Sequence, residues 1–144
     1  MRTSSRLDTR AVGQGALAGL AVIVPVTIGQ EIVLAVVDDP CTDPVVVPIF
    51  VLILAGFALA GFRAARSTFG APYPHGLLAG LAAFAAWLPL KLGKTAVFGG
   101  SFISDDCGAD GGFLPALIGG VTVALLAMGF GIVGSFLAVR RTRR

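Results

Sequence analysis

Four runs of apolar residues, at about 11–37, 45–62, 76–99 and 113–139, occupy most of this 144-residue chain. A helix needs about 20 mostly apolar residues to cross a hydrocarbon layer roughly 30 Å thick, and each run is close to that length or longer. Lipid offers no water to backbone N–H and C=O groups, so such a run satisfies them internally as an α-helix. A transmembrane β-barrel would show alternating segments of about 10 residues, and none occur. The fold class read from the sequence is all-α: a four-helix transmembrane bundle forming one integral membrane domain over residues 1–144.

Charge placement sets the expected direction of the spans. Only 13% of residues are charged, against about 25% in an average soluble domain. Arg2, Arg6 and Arg10 precede the first run, and Arg63 and Arg66 follow the second. Arg140, Arg141, Arg143 and Arg144 close the chain. The other two connections hold no basic residue. Basic flanks stay on the cytoplasmic side, and all three fall on one side of a four-span model. The expectation is a multi-pass protein of the inner (cytoplasmic) membrane with both termini in the cytoplasm. The first run is about twice as long as the 7–15-residue core of a signal peptide, so it reads as an uncleaved helix. Arginines at span ends give no nucleic-acid footprint; besides the bilayer itself, they suit anionic lipid at the cytoplasmic face.

The two non-basic connections resemble each other. "DDPCTD" carries Asp38, Asp39, Cys41 and Asp43, and "DDCGAD" carries Asp105, Asp106, Cys107 and Asp110. These hold both cysteines and six of the eight acidic residues. On the expected topology they are outer acidic loops, in a compartment that permits disulfides, and a Cys41–Cys107 bridge would staple the two halves. Two free thiols are the alternative. The loops lack histidine and fit neither zinc nor calcium spacing, so no metal is expected.

Matching blocks precede the loops. "GALAGLA" at 15–21 matches "GLLAGLA" at 76–82, and "PVTIGQE" at 25–31 matches "PLKLGKT" at 89–95. The pattern predicts two tandem hairpin repeats, about 11–66 and 74–144, in parallel orientation. They would be related by a pseudo-two-fold along the membrane normal. Gly15/Gly19 and Gly76/Gly80 form Gly-x-x-x-Gly pairs, and Ala127, Gly131 and Ser135 form a small-residue stripe; such positions let helices approach closely in lipid. Pro25 and Pro89 sit inside their helices, where proline favours a kink. A close-packed bundle and a pair of broken helices around a cavity are both open.

Glu31, Lys91 and Lys94 are the ionisable residues well inside the spans, with Gln30 beside them. An ionisable group in hydrocarbon needs a partner or water. Glu31 can pair with either lysine, the lysines can reach the headgroups, or the cluster can line a cavity for a proton, ion or small solute. His75 is expected at the cytoplasmic surface, and Trp87 in a packing role near mid-span. No standard catalytic motif occurs, so no enzyme and no cofactor are expected. Four helices with one glutamate in the first is an outline similar to small multidrug-resistance carriers. Those are shorter, lack cysteine loops and place the glutamate deeper, so no site residue is carried over. The expected function is a small non-enzymatic membrane protein, a structural or accessory subunit, possible as a homo-oligomer or with another membrane protein. The alternative is a small carrier or channel using the polar residues of helices one and three.

Overall fold

The structure is a computed structural model and describes residues 8–34, 36, 44, 46–68, 71–98 and 113–142. Four helices make up these residues: α1 (Thr9–Leu34), α2 (Val46–Arg66), α3 (Pro72–Phe98) and α4 (Phe113–Thr142). Each is long and apolar enough to cross a membrane. No strand occurs among the described residues.

Local chemistry sets the ends. Asp8 caps α1: its Oδ1 accepts from the backbone N–H of Arg10 (3.0 Å) and of Ala11 (3.2 Å), satisfying donors the first turn leaves open. Pro72 opens α3, where its fixed φ suits a first helical position and its missing N–H costs nothing. α3 therefore begins four residues before the apolar run does, and α2 continues four residues past its own, to Arg66. Apolarity marks the membrane-crossing part of a helix, whereas caps and proline mark its ends. Both α1 and α3 run unbroken through Pro25 and Pro89, so the broken-helix arrangement is not adopted.

The helices run alternately up and down. α1 packs on α2 and α3, α4 packs on α2 and α3, and α2 meets α3 across the middle. Arg10, Arg63, Arg66, Arg140 and Arg141 consequently share one end of the bundle, termed here the arginine end. Among the described residues, nine of the fourteen buried apolar ones are alanines, so the interior is thin and the backbones come close. The larger buried side chains are Ile23 of α1, Ile53 and Phe57 of α2, and Phe84 and Trp87 of α3.

Small residues build the seams, and they do so alike in the two hairpins. A methyl group added at Gly15 would lie 2.5 Å from the Ala60 carbonyl oxygen, and one at Gly19 would lie 2.8 Å from that of Gly56. In the second hairpin, one at Gly76 would lie 2.6 Å from the Gly131 carbonyl oxygen, and one at Gly80 would collide with the Ala127 carbonyl. Each Gly-x-x-x-Gly pair thus lies on a stripe of small residues spaced four apart, Gly56/Ala60/Ala64 or Ala127/Gly131/Ser135.

The packing of one hairpin on the other does not follow the expected pseudo-two-fold. Such an axis would convert the α2·α3 contact into an α4·α1 contact. α2 and α3 meet, while α1 and α4 do not among the described residues. The physical reason lies in the middle of the bundle, where α2 and α3 supply the aromatic side chains that fill it.

Candidate functional site: a polar seam between α1 and α3

α1 and α3 run parallel, and polar contacts mark their interface at the arginine end and again around residues 27–31 and 87–91. At the arginine end the backbone N–H of Asp8 donates to His75 Nε2 at 3.0 Å. His75 Nδ1 lies 2.7 Å from the Ala71 carbonyl oxygen. A backbone N–H can only donate, so Nε2 accepts and Nδ1 carries the proton. The ring is 3% exposed. It is buried between two helix starts, contrary to the surface position expected from sequence.

Farther along, the Trp87 indole N–H donates to Thr27 Oγ1 at 2.9 Å, and the Thr27 hydroxyl donates to the Ile23 carbonyl at 2.8 Å. One helical turn beyond, Lys91 Nζ lies 3.2 Å from Glu31 Oε1. The Lys91 side chain is 12% exposed and that of Glu31 29%. The same ammonium stands 5.7 Å from the centroid of the Trp87 ring, within cation–π range. Phe84 tilts against Trp87 at 6.1 Å.

Of the sequence-level candidates, the structure brings Glu31 and Lys91 together. Of the two lysines open to Glu31, Lys91 is the one the register presents: residue 27 faces 87 and residue 31 faces 91. The Lys94 side chain lies outside the described residues, as do Cys41, Cys107 and all six loop aspartates, Asp38, Asp39, Asp43, Asp105, Asp106 and Asp110. Gln30 Oε1 is buried without a hydrogen-bond partner among the described residues. No three His, Cys, Asp or Glu side chains converge among the described residues.

Sequence reasoning missed Asp8, Thr27, His75 and Trp87 as seam residues. One signal was present: Thr27/Glu31 and Trp87/Lys91 are both i, i+4 pairs, and each pair lies on one helix face. Two parallel helices in register can bond through both at once.

Fold and site together define an all-α protein with four membrane-spanning-length helices and an ion pair inside its spans. No family model matches the sequence, and no curated protein or solved structure is detectably similar to it.

Proposed function

We propose that this chain is a small non-enzymatic multi-pass membrane protein that serves as a structural or accessory subunit of the cytoplasmic membrane. Both termini face the cytoplasm, so the arginine end meets anionic headgroups there. It associates with copies of itself or with another membrane protein. The two hairpins descend from one unit, as their like small-residue seams support.

One observation carries this reading. The polar side chains of the α1–α3 seam bond to each other, Lys91 to Glu31 and Trp87 to Thr27, in a bundle whose α1–α2, α3–α4 and α2–α4 seams close at backbone distance. Polar groups used this way fix which helices neighbour each other. Opposite charges inside a span need a partner, and here each is the other's.

A second reading has its own support. The Gln30 oxygen beside Glu31, buried with no hydrogen-bond partner among the described residues, is a feature that a carrier or channel for a proton, ion or small solute would use. One pair of measurements separates the two. Under the structural reading, Glu31→Gln lowers the thermal midpoint of the purified protein in detergent, and proteoliposomes containing wild type hold a proton gradient as well as protein-free vesicles. Unchanged stability together with a wild-type proton leak that Glu31→Gln removes would establish the carrier instead.

A further inference from the structure

His75 joins two helix starts through two different kinds of bond. It is 3% exposed and stands in the first turn of α3. Its Nδ1–H donates to the Ala71 carbonyl at 2.7 Å, just ahead of its own helix. Its Nε2 accepts the backbone N–H of Asp8 at 3.0 Å. Asp8 is the cap of α1, and the N–H of a cap residue is commonly satisfied by a side chain of the same helix. Here a side chain of α3 does it, so the start of α1 is tied to α3 through one lone pair of one imidazole.

That lone pair is where a neutral imidazole takes up a proton. Protonation leaves the Nδ1–H bond to Ala71 as it was and sets an Nε2–H against the Asp8 N–H. Two donors cannot share a hydrogen bond, so the contact with α1 is lost while His75 stays on α3. α3 packs on all three other helices. The charged groups these bring to the arginine end are Asp8 and Arg10 at the start of α1, Arg63 and Arg66 of α2, and Arg140 and Arg141 of α4; Tyr73 lies on α3 itself. Among the described residues, none of their side chains bonds to His75. The Asp8 carboxylate is the single anion in this set, and it is already committed: its Oδ1 accepts from the N–H groups of Arg10 and Ala11. Turning it toward Nε2–H would uncap α1. By either route the first turn of α1 gives up a bond.

We propose that His75 is a proton-operated latch between the two helix starts. Neutral, it holds α1 on α3 at the arginine end; protonated, it lets that start of α1 go. Histidine is the side chain whose charge ordinarily changes between pH 5 and 8, and the sequence has one. Farther along the seam the Trp87 indole N–H donates to the Thr27 hydroxyl, a bond without an acid or base, so the release is confined to the first turns. The latch works whichever way the bundle faces and whatever the chain associates with.

The test follows the full chain in nanodiscs by NMR. Nitrogen-15 shifts of the histidine report when both ring nitrogens carry protons. Amide hydrogen exchange, corrected for its intrinsic dependence on pH, reports the latch. Between about pH 8 and about pH 5, the Asp8 amide loses protection roughly tenfold as the ring protonates, the order of one lost hydrogen bond. The Trp87 indole N–H keeps its protection over the same range. His75→Gln takes up no proton, so its Asp8 amide is protected equally at both ends of the range. An Asp8 amide that does not follow the ring, a ring that stays neutral throughout, or the same loss in His75→Gln overturns the proposal. A parallel loss at Trp87 would mean that acid loosens the whole bundle, and overturns it too.

Discussion

Of the three seams that join the hairpins, α2–α4 and α1–α3 are made differently. Between α2 and α4, Gly61 lies against the Gly131 carbonyl and Gly134 against that of Ala58, so closely that a methyl group at either glycine would collide with backbone. Between α1 and α3 the link is made by side chains that reach across: Asp8 to His75, Trp87 to Thr27, Lys91 to Glu31. Lipid gives helices no hydrophobic reason to associate, which leaves van der Waals packing and hydrogen bonds. The α2–α4 seam rests mainly on the first, with one hydrogen bond from Ser135 Oγ to the Gly61 carbonyl at 3.3 Å, and the α1–α3 seam on the second. Packing at backbone distance tolerates no added atom, whereas a polar contact can be lost singly. The α2–α4 seam is therefore the brittle one.

The largest effect should come from adding bulk to the brittle seam. Gly61→Leu places a side chain where the Gly131 backbone stands, and overpacking of this kind costs about 3 kcal/mol or more. The variant is expected to lose its cooperative thermal transition in detergent. Gly129→Leu is the matched control, because nothing lies within 4 Å of the position; it should stay within about 0.5 kcal/mol of wild type. Equal damage at both sites would show that the α2–α4 approach is not what holds these helices.

On the polar seam the ion pair comes next. Lys91→Met takes the ammonium away from the Glu31 carboxylate inside a span. Breaking a fully buried pair costs about 3–5 kcal/mol, but the Glu31 side chain is 29% exposed, so roughly 2 kcal/mol is the expectation. Replacing both partners, Glu31→Leu with Lys91→Met, should recover most of that loss, because two apolar side chains suit the bilayer. A double variant as unstable as the sum of its parts would mean the two groups act independently.

His75 tests the arginine end of the same seam. His75→Ala removes the acceptor for the Asp8 N–H and opens a cavity where a buried ring stood, for a loss of about 1–2 kcal/mol. The hydrogen bonding also predicts which nitrogen carries the proton. Nitrogen-15 NMR of the histidine, single in the sequence, should report the Nδ1–H tautomer, and the Nε2–H form would contradict the Asp8 contact.

These seams differ in how far the sequence discloses them. The small-residue seams were half legible: Gly15/Gly19, Gly76/Gly80 and the Ala127/Gly131/Ser135 stripe stand out by spacing. Gly56/Ala60/Ala64 is hidden in an alanine-rich helix where many stripes could be drawn. The polar seam was legible as a set of ionisable residues and illegible as pairs. The sequence left Glu31 open to either Lys91 or Lys94. Register between parallel helices is set by side-chain packing along their whole length, and here that packing turns Lys91 toward Glu31. His75 misled for a related reason. A lone histidine near a span end suggests a headgroup position, and nothing local reveals that the start of a different helix covers it.

The smallest expected effect is also the sharpest test of the contrast. Trp87→Phe removes the indole N–H while keeping an aromatic ring, and Thr27→Val removes the hydroxyl that receives it. Interhelical hydrogen bonds in lipid average about 0.6 kcal/mol by double-mutant cycles, so each variant should lose about that much, and the two together little more than either alone. Thr27→Val has a compensating gain, because its hydroxyl also returns to the Ile23 carbonyl, a bond that slightly strains a helix. Trp87→Phe has none, and it weakens the aromatic face under the Lys91 ammonium. Trp87→Phe should therefore cost more than Thr27→Val and should reduce the coupling measured between Glu31 and Lys91. If the order is reversed, with Glu31–Lys91 coupling untouched, the polar seam is a set of separate contacts and not a connected ladder.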